Sequence, residues 1–250
     1  MENITAICFD LGNTLIYFDG AWPEVLAEAR RAALRAFHAA GLQVEIEPFL
    51  NVFRETLENQ HAHREDDLIE RNATVLLREV LDELGYPGLP DSWIDSARRA
   101  FYAVTQSHWL PEIDAVPTLQ TLCERGYRMG IISNAADDWD VQTLVDKAGV
   151  RPYMDFVITS AALGQRKPAP AIFRAALAHW GLPPARVAMV GDTLNADILG
   201  ANRLGMSSIW ITRRVDVSCL SELETIRPQW TIGTLDELLT LLAGFKASAG

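Results

Sequence analysis

A short apolar run at residues 4–9 ends on Asp10, and the next segment that reads as a strand comes only at residues 127–133. A run of that length, followed by the Gly12-Asn13 turn, reads as a buried strand. A lone strand leaves its backbone N–H and C=O groups unpaired, so it must find partners elsewhere in the chain. Whatever lies between is therefore expected to be an insertion into a sheet, not an independent N-terminal domain.

The intervening stretch is helical in pattern, at residues 22–40, 47–63, 68–84 and 91–109. Pro23 stands near the start of the first helix and Gly41 just past its end, which is the asymmetry helices favour. Gly85 stops the third, and Asp91 is the expected N-cap of the fourth. Four helices with short connections predict a small antiparallel bundle.

After Pro111 the pattern changes. Helices at 116–125, 138–148, 169–180, 195–204 and 235–242 alternate with strands at 127–133, 155–159, 187–191, 208–211 and 229–232. Such alternation predicts an α/β fold, a parallel sheet with helices on both faces. The first strand most simply joins that sheet.

A net charge of -11 should repel nucleic acid and anionic membranes, so neither is expected as a partner. Cys8, Cys123 and Cys219 form no C-x-x-C pair, which argues against a disulfide framework or a zinc site and fits a reducing compartment. Residues 1–5 carry no basic segment followed by an apolar one, and no apolar run is long enough to span a bilayer. The expected location is the cytoplasm. Oligomeric state is not legible.

In open parallel sheets, ligands bind beyond the carboxyl ends of the strands. There the first predicted strand delivers Asp10 and the second Ser133 and Asn134. The loop after the third carries Lys167, and the fourth delivers Asp192, with Asp197 five residues on. Two nearby carboxylates raise one another's pKa unless a cation sits between them. A hard divalent ion such as Mg²⁺ relieves that repulsion and binds substrate phosphate as well. With the ion and Lys167 beside it, Asp10 can attack phosphorus. Ser133, Asn134 and the amides of the following turn can donate to phosphate oxygens, while Lys167 offsets charge at the transferring group.

In this order the residues resemble the four motifs of the haloacid dehalogenase superfamily. Asp10-Leu11-Gly12-Asn13-Thr14-Leu15 resembles the first and Ser133 the second. Lys167 before Pro168 resembles the third, and Gly191-Asp192 through Asp197 the fourth. The resemblance implies a Rossmann-like core at 1–15 and 112–250 and a helical cap at 16–111. It implies a covalent aspartyl-phosphate on Asp10 and Mg²⁺ held by Asp10, the Gly12 carbonyl and Asp192, with Asp197 in or behind that shell. The expected activity is a Mg²⁺-dependent phosphatase acting on a small phosphorylated metabolite.

One position departs from the pattern. Phosphatases of this superfamily usually carry a second Asp two residues after the nucleophile, as acid and then base, and here that residue is Gly12. General acid–base catalysis contributes about 10²–10⁴-fold, so its loss weakens catalysis and favours leaving groups that depart easily as anions. Two alternatives stay open: a metal-independent haloacid dehalogenase, and a catalytically weak member that binds a phosphorylated ligand or a protein. Elsewhere, His61 and His63, beside Glu65 and Asp66, do not share a helix face and read as a polar helix end. Trp22 and Trp109 flank the helical stretch, either packing or walling a pocket.

Overall fold

The computed structural model describes residues 4–215 and 222–247, without the side chains of residues 61, 63–66 and 244–247. The polar helix end at His61, His63, Glu65 and Asp66 lies outside the described side chains, and Cys219 lies outside the described residues. The chain divides into two compact units, Met1–Phe18 with Leu110–Gly250, and Asp19–Trp109.

From the N-terminus, β1 (Ala6–Phe9) and β2 (Ile16–Phe18) precede four helices, α1 (Trp22–Ala39), α2 (Ile46–Asp67), α3 (Ala73–Glu83) and α4 (Asp91–His108). These helices make up the second unit. Its core gathers Phe37, Phe49, Leu77, Val80, Leu81 and Ile94. Phe37, Phe49 and Phe53 stack edge to face at 6.0 and 5.8 Å, the arrangement that aromatic quadrupoles favour. Trp22 and Trp109 meet edge to face at 6.4 Å.

Two helix ends differ from the sequence expectation. Periodicity suggests a new helix at residue 68, but α2 continues to Asp67, Leu68 turns left-handed at φ 54°, and α3 starts only at Ala73. The reason is Asn72, whose side chain accepts from the Val75 N–H at 2.9 Å and so caps α3. Asp91 is not the cap of α4. Pro90 holds that position, and Asp91 pairs with Arg78.

The first unit continues with β3 (Trp109–Pro111), α5 (Ala115–Glu124), β4 (Arg128–Ser133), α6 (Asp138–Lys147), β5 (Phe156–Thr159), α7 (Ser160–Leu163) and α8 (Pro170–Trp180). It ends with β6 (Val187–Gly191), a π-helical turn at Leu194–Ile198, α9 (Leu199–Leu204), β7 (Ser207–Ile211), β8 (Trp230–Ile232) and α10 (Glu237–Ala247). Six strands form one sheet in the order β5-β4-β1-β6-β7-β8. Every pairing in it is parallel. This is the parallel α/β sheet expected from the alternation of strands and helices, and the Rossmann-like core that the motif resemblance implies.

All four residues of β1 and all five of β6 are buried, as a sheet covered on both faces demands. Ala6 and Cys8 of β1, with Val187 and Met189 of β6, pack against Ile172, Phe173, Ala176 and Leu177 of α8. From β1 the chain builds outward to β4 and β5, then crosses back to β6 on the other side. The strand order thus reverses at β1, and the crevice beyond its carboxyl end is the position where such sheets bind ligands.

The ribbon of β2 and β3 was not expected from the sequence. Residues 16–18 and 109–111 are three-residue strands beside helical patterns, with no alternation of their own to mark them. Just beyond it, the Glu112 N–H donates to the Leu15 carbonyl at 2.9 Å. Buried Glu112 and neighbouring Asp114 also receive Arg213, and Glu112 receives Arg214 as well. Among the described residues, no helix is long and apolar enough to cross a membrane.

Candidate active site at the carboxyl end of β1

Asp10 directly follows β1. Its N–H donates to the Val190 carbonyl of β6 at 2.9 Å, so the sheet ladder itself fixes the residue. The chain then turns sharply: the Leu11 carbonyl accepts from the N–H groups of Leu15 and Ile16 at 2.9 and 3.0 Å. Asn13 takes the left-handed conformation at φ 54°, which Asn tolerates better than most residues. Gly12 lies inside this turn and bridges to Ile16.

Lys167 is almost fully buried, and its ammonium group sits among acceptors. Nζ lies 2.5 Å from Asp10 Oδ1 and 2.8 Å from the Ile132 carbonyl. It also stands 2.7 Å from Asp197 Oδ1, as an ion pair outside hydrogen-bond alignment. Burial works against the charged amine, but the two carboxylates outweigh it, and the pKa rises above the ordinary lysine value.

The fourth motif forms a compact turn after β6. The Thr193 carbonyl accepts from the Asp197 N–H at 2.8 Å, and the Thr193 N–H donates back to Asp197 Oδ2 at 3.1 Å. The sequence predicts an α-helix from residue 195. The structure has a π-helical turn there instead, which widens the first turn and aims Asp197 back toward the sheet. Gly191 makes room for it, since a Cβ at that position would lie 2.3 Å from the Asp197 carboxyl carbon.

Asp10, Asp192 and Asp197 each offer a carboxylate oxygen, and the three lie within 4.8 Å of one another. Burial, only partly offset by Lys167, lifts the Asp10 carboxyl to about 6. Burial and then repulsion from Asp10 and Asp197 lift Asp192 to about 8. Three hard oxygen donors against one lysine leave an excess of negative charge that a divalent cation would balance, so the donor set suits a Mg²⁺-sized ion.

Ser133 ends β4 and is buried. Asn134 does something the sequence did not suggest: its side-chain amide holds the backbone of Lys167, accepting from the N–H at 2.7 Å and donating to the carbonyl at 3.0 Å. Ser160 clasps the same loop, accepting from the Ala135 N–H at 2.9 Å. These contacts cross between loops after different strands, and no spacing in the sequence announces them.

The family model for haloacid dehalogenase-like hydrolases matches residues 4–205. The chain is 30% identical over 213 residues to a glyceraldehyde 3-phosphate phosphatase of Methanopyrus kandleri, covering 84% of each chain. It is 32% identical over 138 residues to a phosphoserine phosphatase of Thermus thermophilus, 55% of this chain and 53% of that one. Among solved structures, a 2-haloacid dehalogenase from Pseudomonas syringae pv. Tomato is similar with a TM-score of 0.68 and 26% identity, over 97% of this chain and 99% of the other.

Proposed function

The chain belongs to the haloacid dehalogenase-like hydrolases, and from that premise we propose that it is a Mg²⁺-dependent phosphatase of a small phosphorylated metabolite, with Asp10 as nucleophile. The observation that carries this reading is the meeting of three carboxylates within 4.8 Å, with a buried lysine against two of them. The glyceraldehyde 3-phosphate and phosphoserine phosphatases among its relatives support the substrate class.

In this mechanism one oxygen of Asp10 attacks phosphorus, the leaving oxygen departs on the far side, and an aspartyl-phosphate remains until water cleaves it. Lys167, held by Asn134, keeps Asp10 ionised and balances charge on the transferring group. Ser133 and the Asn134 main-chain amide donate to the phosphoryl oxygens. Asp10, Asp192 and the Gly12 carbonyl are the groups that would hold Mg²⁺, which when bound screens the phosphate charge from the carboxylates. Both Asp197 oxygens are engaged, one by Lys167 and one by the Thr193 N–H. We therefore assign Asp197 to stand behind the ligand set, fixing Lys167. The helical stretch at 16–111 is assigned as the cap that reads the rest of the substrate.

A second reading, a metal-independent haloacid dehalogenase, is favoured by the similarity to the Pseudomonas syringae enzyme and by Gly12. There Asp10 would attack carbon and expel halide, and a half-buried Asp192 beside Asp10 would be an unneeded second charge. One experiment separates the two: a panel of phosphorylated metabolites and of 2-haloacids, each with EDTA and with Mg²⁺, beside Asp10→Asn. Phosphate release that vanishes with EDTA and returns with Mg²⁺ supports the phosphatase. Halide release that ignores EDTA sinks it. Phosphate release no faster than the Asp10→Asn control would favour a binding protein.

A further inference from the structure

Trp210 on β7 stands directly beside Gly191 on β6 in the parallel register. Residues paired in this way send their side chains to the same face of the sheet. Gly191 has none to send, and the Asp197 carboxylate fills that place. Trp210 is thus the side chain next to Asp197 on this face. Its ring is buried against Leu194 and Ile198, the first and last residues of the π-helical turn that carries Asp197. Its indole N–H donates to the main-chain carbonyl of Asp192 at 2.7 Å.

A buried indole N–H usually finds an acceptor, and the acceptor here is the main-chain carbonyl of a residue in the fourth motif. Asp192 is the first residue after β6, where the ladder no longer holds the peptide plane, and that plane sets the direction of its side chain. We propose that Trp210 is a positioning residue for both fourth-motif carboxylates. The ring holds the turn that presents Asp197, and the N–H locks the peptide that aims Asp192. The inference rests on the reading of Asp192 as a Mg²⁺ ligand. Groups that orient metal ligands without touching the metal change affinity by about 10–100-fold when removed.

The test is Mg²⁺ binding to the full chain by isothermal titration calorimetry, with the melting temperature measured without Mg²⁺. Trp210→Phe keeps a ring and deletes the N–H. Its Kd for Mg²⁺ should rise about 10-fold, with the metal-free melting temperature close to that of the wild type. If the smaller ring itself loosens the fold, 3-benzothienylalanine at position 210, which has the indole shape but no N–H, gives the same readout. Asp192→Asn serves as the reference. Loss of binding in Asp192→Asn with wild-type affinity at the altered position 210 overturns the role of Trp210 alone. Wild-type affinity in Asp192→Asn overturns the ligand assignment beneath it, and this inference with it.

Discussion

Asn134 holds Lys167 by both polar ends of its amide, at 2.7 Å to the N–H and 3.0 Å to the carbonyl. The side chain of the same lysine then reaches back to Asp10 and to the Ile132 carbonyl. The lysine is therefore fixed at its backbone and at its tip, and the two anchors lie on neighbouring segments of the crevice. An ammonium group held this way needs no reorganisation when charge builds up in front of it.

Asn134→Ala should expose how much that grip matters. It leaves both polar atoms of the Lys167 peptide without their partner, at a stability cost of about 1–3 kcal/mol. A displaced lysine should lower kcat by about 10²-fold. Steady-state turnover of the best substrate, beside a thermal melt, checks both. Unchanged kcat would return Asn134 to an incidental loop contact.

Gly12→Asp restores a carboxyl where related phosphatases have one. It should speed alkyl phosphates by about 10²–10⁴-fold and aryl phosphates far less, because only the poorer leaving group needs the proton. The ratio of kcat/KM for the two classes is the measurement. An equal gain for both, or none, would mean that another group already supplies the proton.

Gly191→Ala places a Cβ 2.3 Å from the Asp197 carboxyl carbon, and Gly200→Ala places one 2.3 Å from the Phe173 ring. Both overpack and should lose about 1–3 kcal/mol in stability. They should part company in Mg²⁺ binding: Gly191→Ala weakens it, whereas Gly200→Ala leaves it near the wild type. Calorimetric titration of both variants decides, and equal affinities would detach Asp197 from the metal site.

The pH dependence follows from Asp10 and Asp192. Their folded values, about 6 and about 8, lie above the ordinary 3.8. Without metal, the folded chain thus keeps protons that the unfolded chain has already released. The stability these groups contribute is whole below about 3.8 and is lost as pH rises through about 6 and then about 8. Mg²⁺ bound at these carboxylates would displace those protons, so the rise in melting temperature on adding it should be larger above about pH 8 than below about pH 6. A rise of equal size at both would exclude these carboxylates as ligands.

Much of the sheet is legible in the sequence because β1, β4 and β6 are nearly continuous apolar runs ending at chemistry-bearing residues. The helix boundary near Leu68 is not, because helical periodicity carries on through a break that Asn72 imposes by capping. The π-helical turn at Leu194–Ile198 is equally hidden, since one extra residue in a turn leaves no mark on composition. At the site, Asp10, Lys167, Asp192 and Asp197 can be found from strand ends and spacing. The Asn134 clasp and the Trp210 indole cannot, because their partners lie in loops that follow other strands and depend on side-chain direction.

The β2–β3 ribbon carries one more implication. The Asp19 N–H meets the His108 carbonyl at 2.8 Å, so the two ends of the long helical insert leave side by side. A segment whose ends already touch can be lengthened, shortened or exchanged without rethreading the sheet. A cassette between residues 19 and 108 can accordingly be swapped in evolution while Asp10 and its neighbours keep their place on the sheet.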